Sequence, residues 1–422
     1  MTTPTRGPVI DLTLSDICTF QNVDCTDIQN NDILVWDSTA LDGAGAFIPL
    51  SVFAPPVVCG GSGIWTENTL FTTDTGLPWN RVVAISGDTF VTGNGNADGN
   101  AAFTHGEVQV YRYDGATWAL EQNIFAGGGG AVTVPGNFGS GVGLSSDTNN
   151  LIISNSGVST TAIEVYLRTG SAWALTNTLT ISNVTTNNDM VDSSLSLSND
   201  DNTFAIGTPR VSGSFSNEGQ VAIFTKTGGT WSEQTIITAP APTTNGQFGS
   251  EVYIKDNDLL INEAGKNEVH HYTWSGSIWN LSQTISGIST NFAPNQIDIN
   301  DNYLALGSTG SNEVHIFIRE NMGSPWIIQQ IISGSGGFGT SVAFHNGVLP
   351  QLYIGANSNT IGTSTRRGTV SVWNRTGTTW SETQIFQGSA ANPDSGFGWG
   401  IAVDCSNLAI IDQRNDAYIY TD

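Results

Sequence analysis

Apolar and polar side chains alternate along most of the chain, in short runs broken by Gly, Asn, Asp or Ser. The runs EVQVYRY, QVAIFTKT, EVHHYTW and TVSVWNRT, near residues 107, 220, 268 and 369, show it plainly. A period of two over runs this short predicts half-buried β-strands joined by tight turns. The strands recur in one order. A first strand, as at 82–85 or 342–344, passes through a polar turn into a second, as at 90–93 or 352–355. A loop of variable length then precedes a third strand, and a Gly turn leads to a fourth that opens on Trp, as at 231–237 and 380–386. The opening tryptophans are Trp65, Trp118, Trp173, Trp231, Trp279, Trp326 and Trp380, spaced 47 to 58 residues apart. Four antiparallel strands in a unit of roughly 40–60 residues are the signature of a propeller blade.

The ends of the array fit a closed ring. The strand at 65–71 arrives before any complete unit, while DAYIY at 416–420 has no Trp strand after it. Letting 65–71 complete the last blade removes the exposed sheet edges. The expected fold is all-β: a seven-bladed β-propeller of four-stranded antiparallel blades over 61–422, behind a short β or extended N-terminal arm, residues 1–60.

Composition agrees and narrows the partners. Gly is abundant at 49, charged residues make up 12%, and 12 Trp with 38% hydrophobic residues can supply a large core. The net charge is −24, and only Arg366 and Arg367 form a local basic pair, so nucleic acid and anionic membrane surfaces are not expected partners. Residues 1–14 hold no apolar run of signal-peptide length and no stretch approaches a membrane span, so neither ordinary export nor membrane insertion is expected. Cys18, Cys25, Cys59 and Cys405 show no metal spacing and read as free thiols from a reducing compartment, with a Cys18–Cys25 or Cys59–Cys405 bridge as the alternative.

Phe-Gly precedes the first strand at Phe138-Gly139, Phe248-Gly249, Phe338-Gly339 and Phe397-Gly398. A Gly-small pair ends the second at Gly207-Thr208, Gly307-Ser308 and Gly355-Ala356. Over about 65–422 the units thereby resemble FG-GAP repeats, the family of the integrin α-subunit propeller. That resemblance implies a binding propeller. The family often holds Ca²⁺ in an Asp-rich turn between the first two strands. The turns here (SGD at 86–88, SNDDN at 198–202, KDND at 255–258, NDN at 300–302) lack the alternate carboxylates of an oxygen cage, so their acids read as turn formers and no metal is expected. Outside the repeat, DILVWD at 32–37 followed by FIP at 47–49 is similar to a hairpin that connects modules in viral tail-fibre and capsid-associated proteins.

Loop length varies almost entirely on one face, at 72–80, 94–106, 125–137, 208–219, 239–247, 356–367 and 387–396. Variable loops on a rigid scaffold are where recognition usually resides. Trp79, Phe103, Phe215 and Trp399 are the apolar residues there best suited to a partner. His270 and His315 share one register, but Gln109, Glu164, Ala222, Ser371 and Tyr418 fill the same position elsewhere, so register alone explains the match. No nucleophile elbow, zinc-protease helix or phosphate loop is present. The expectation is a non-enzymatic virion-associated structural protein without cofactors. Residues 1–60 would dock on other virion proteins, and the loop face would meet a host-surface protein or glycan, or cement capsomers. It would be assembled in the host cytoplasm. The alternative is a cellular FG-GAP-like adhesion or scaffold module at the cell surface or outside the cell.

Overall fold

A computed structural model describes residues 34–37, 46–49, 65–72, 82–94, 106–126, 138–158, 161–185, 194–288, 296–345, 350–360, 367–388, 395–413 and 416–421. The chain divides into two compact units, 1–58 and 59–422. In the first, Leu34–Asp37 and Ala46–Pro49 form an antiparallel hairpin, Leu34 opposite Pro49 and Asp37 opposite Ala46.

The second unit is a seven-bladed β-propeller of four-stranded antiparallel sheets. Blade 1 comprises Val83–Ser86, Thr89–Asn94, Glu107–Tyr113 and Trp118–Ile124, from the channel outward. Blade 2 comprises Val142–Leu144, Asn150–Val158, Thr161–Thr169 and Ala172–Leu179, and blade 3 Ser194–Leu197, Thr203–Thr208, Gln220–Thr227 and Thr230–Thr238. Blade 4 comprises Phe248–Lys255, Asp258–Glu263, Glu268–Trp274 and Trp279–Ser286, and blade 5 Ile297–Asn300, Tyr303–Ser308, Glu313–Ile318 and Ile327–Ser333. Blade 6 comprises Phe338–His345, Gln351–Ala356, Thr369–Thr376 and Thr379–Phe386. Blade 7 takes Gly400–Val403, Asn407–Ile411 and Asp416–Thr421 from the end of the array, and its outer strand, Thr66–Thr72, from before blade 1. Thr66 faces Thr421 and Thr72 faces Asp416 across this seam. No helix among the described residues is long and apolar enough to cross a membrane.

Why the Trp recurs becomes plain in the packing. Among the described residues the hydrophobic core is seven clusters, one at each blade junction. Trp173 packs between blades 1 and 2, Trp326 between 4 and 5, Trp380 between 5 and 6, and Trp65 between 6 and 7. Three of these are also clamped by the preceding blade. Gln122 bonds both the N–H and the C=O of Trp173 (2.8 and 3.0 Å), Gln283 does the same to Trp326, and Gln330 to Trp380. Each Gln stands four residues after its own blade's Trp, which puts its amide level with the next one.

The Phe-Gly and second-strand glycines meet each other. A Cβ on Gly93, Gly207, Gly307 or Gly355 would overlap the carbonyl oxygen of Gly139, Gly249, Gly339 or Gly398 on the following blade. Those four partners all have φ between +85° and +88°, a conformation that L side chains rarely adopt. Blades 2, 4 and 7 put Ser154, Asn262 and Ile411 in the second-strand position instead, and no Phe-Gly precedes the blade that follows each of them.

The acids of the 1–2 turns are turn formers: Asp201, Asp256 and Asp301 sit at φ +53°, +53° and +45°. One expectation fails here. Cys405, half-buried in the blade 7 turn, is disulfide-bonded rather than free, and its partner lies outside the described residues.

Candidate functional site: the loop face and the channel

The long 2–3 and 4–1 loops share one face. Between blades 3 and 4 they are knitted together by backbone: Asn245 N–H to Ser216 C=O (2.7 Å), Gln247 N–H to Asn217 C=O (3.0 Å) and Phe248 N–H to Glu218 C=O (3.0 Å). The Glu218 carboxylate accepts the Ser214 and Phe215 N–H groups, fixing a tight loop that leaves Phe215 43% exposed. Trp399 is placed differently. It is half-buried on the blade 7–blade 1 core, and its N–H bonds Ile411 C=O, so most of its ring serves packing. Trp79 and Phe103 lie outside the described residues. Phe215 and Trp399 belong to separate blades and are not brought together.

Two glutamates that sequence reasoning passed over join His270 at this face. His270 Nε2 lies 2.9 Å from Glu263 Oε2 and 3.7 Å from Glu268 Oε2, and Nδ1 bonds Thr284 Oγ1 at 3.1 Å. Three such groups could hold a divalent cation. Glu263 is fully buried, however, and Lys266 Nζ neutralises it at 2.9 Å. Blade 5 carries Ser308 and Ser311 where blade 4 has Glu263 and Lys266, so the charges change together, as expected of an internal ion pair. In blade 5, His315 keeps Glu313 at 3.3 Å; burial lowers its pKa against the opposing pull of that carboxylate.

A cavity of about 290 Å³ occupies the ring centre, lined by the innermost strands of all seven blades. Most of the lining is Val, Ile, Leu, Ala and Gly, while Glu251, Tyr253 and Asp298 gather on blades 4 and 5. Burial raises the Asp298 pKa, although its carboxylate receives Phe344 N–H (2.6 Å), Ile299 N–H (2.7 Å) and the Tyr253 hydroxyl. Burial and then the Asp298 charge push the Tyr253 phenol well above its ordinary value. The Glu251 and Asp298 carboxylates are both tied down by backbone donors. Their clustering was invisible in the sequence because it depends on which strand edge faces the channel.

No protein-family profile and no curated protein matches the chain. Solved structures do, 709 chains in all, so the architecture is common and its sharing speaks for fold alone. One is a structural-genomics crystal structure of a Lactobacillus plantarum protein, 12% identical, with a TM-score of 0.53, covering 79% of this chain and 92% of that one.

Proposed function

We propose that the chain is a non-enzymatic structural component of a virion, anchored through residues 1–60 and presenting the long-loop face of its propeller to a host-surface protein or glycan, or to neighbouring capsomers. The observation that carries this reading is the separate hairpin unit. The segment resembling viral connector hairpins pairs with itself, Val35 opposite Ile48 and Trp36 opposite Phe47, and belongs to the first of the two compact units, residues 1–58. Within the ring, the seam strand begins at the tight-turn face, opposite the long loops. Such a division suits a docking module joined to a recognition module. Removing residues 1–60 should abolish co-sedimentation with particles while the remaining ring melts cooperatively. Undiminished incorporation of the shortened chain would sink the proposal.

A second reading, a cellular FG-GAP-like adhesion or scaffold module, is favoured by the Cys405 disulfide, since such bonds persist in oxidising surroundings. It predicts that the shortened chain keeps its partner and that reduction lowers the melting temperature.

A further inference from the structure

The innermost strand of each blade turns one edge to the channel, so alternate N–H groups point away from the sheet and need another acceptor. The ring solves this in two different ways. On blades 4 to 6 the preceding blade provides side chains. Ser194 Oγ accepts from Val252 N–H (3.2 Å), Ser196 Oγ from Ile254 N–H (3.1 Å), Glu251 Oε1 from Ile297 N–H (2.9 Å) and Asp298 Oδ2 from Phe344 N–H (2.6 Å). The positions that match Ser196, Tyr253 and Asp298 in the other blades hold Ala343, Ala402, Ala84 and Gly143, which have nothing to offer. The N–H groups they would have met belong to Val403, Ile85, Leu144 and Leu197, and no acceptor for them exists among the described residues. These four amides form a continuous arc over blades 7, 1, 2 and 3. The same small residues leave the room that the cavity fills.

We infer that this arc is a binding site for a small neutral polyhydroxy compound, of polyol or monosaccharide size. The free edge of an antiparallel strand turns the N–H and the C=O of the same residue outward, so the arc offers donors with carbonyl acceptors beside them and calls for groups that can meet both. An anion would meet the Glu251 and Asp298 carboxylates across the channel and a chain of net charge −24. A bare cation would leave the four amide donors unanswered. Hydroxyl groups both accept and donate, so they satisfy the amide arc on one side and the Asp298 side on the other.

The test uses the full chain with glycerol, myo-inositol, glucose and the anionic gluconate as probes, read by calorimetry and thermal melting. At least one neutral probe should bind saturably at one site per chain, with gluconate about tenfold weaker than glucose or more. Replacing Ala84 and Ala402 by Ser places hydroxyls beside Leu144 N–H and Ile85 N–H, as Ser196 stands beside Ile254 N–H. That double variant should melt higher than wild type and bind the neutral probe about tenfold less tightly or worse. Ala343→Ser alone, beside Val403 N–H, tests the same arc if the double variant folds poorly. Absence of saturable binding by every neutral probe, the mark of a channel holding solvent only, overturns the inference. So does gluconate binding as tightly as glucose, or binding that the serine substitutions leave unchanged.

Discussion

Junctions 3/4 and 4/5 flank the same blade, yet they are held in opposite ways. At 3/4 the backbones touch: Gly207 lies against Gly249 with no room for a methyl group on either, and the side-chain links beside that fit are neutral serine hydroxyls on backbone N–H groups. At 4/5 the corresponding position is Asn262, and side-chain polarity replaces the close approach. Arg319 of blade 5 grips Asp258 of blade 4 through two bonds (2.8 and 2.7 Å), His271 joins the same carboxylate at 2.7 Å, and the guanidinium lies 4.3 Å over Trp326. Glu251 and Lys255 reach the backbone of blade 5. The two junctions teach that a propeller can substitute ionic cross-links for steric complementarity, with different vulnerabilities.

The largest effect should come from the polar side. Arg319→Ala leaves the buried Asp258 carboxylate with His271 alone and should cost about 3–5 kcal/mol of unfolding free energy, measured by urea titration. In wild type, burial raises the Asp258 pKa but hydrogen bonds from His271 and Arg319 outweigh it, so the net shift is downward. A depressed carboxylate contributes stability above its unfolded pKa and loses it as pH falls through the folded value. Acid unfolding of Arg319→Ala should accordingly begin at a higher pH. Equal acid midpoints for the two proteins would deny the latch its role.

On the steric side Gly207→Ala should cost about 1–3 kcal/mol, because the new methyl group meets the Gly249 carbonyl and the backbones must separate. The smallest change is expected at Asn262→Ala. Its amide is fully buried and neither polar atom has a partner, so deletion removes an unsatisfied donor and acceptor while opening a small void. Those effects oppose each other, and the net should stay within about 1 kcal/mol. A loss at Asn262 equal to that at Gly207 would erase the distinction between the junctions.

Much of this architecture was legible along the chain. The Trp spacing and the period of two gave the blades, because each strand is a local pattern. The Phe-Gly and second-strand glycines were visible as motifs, but their mutual contact was not, since the partners lie in successive blades. Asp258 and Arg319 are 61 residues apart and look like ordinary surface charges until the sheets stack. The channel was the least readable, because Ala84, Ala402 and Gly143 matter there for what their side chains lack. Trp399 read as a loop contact from its position, and the core of blades 7 and 1 takes up most of it.

The seam has a mechanical consequence. Thr66 and Thr421 are paired, so they stand at the same end of two neighbouring strands of one sheet. A pull applied between them would part the strands one hydrogen-bonded pair at a time, like a zip, at low force. A pull shared between Thr72 and Thr421, at opposite ends of the seam, would load every pair at once and meet far greater resistance. How a tether is attached, more than how well the ring is packed, therefore decides the force at which it opens.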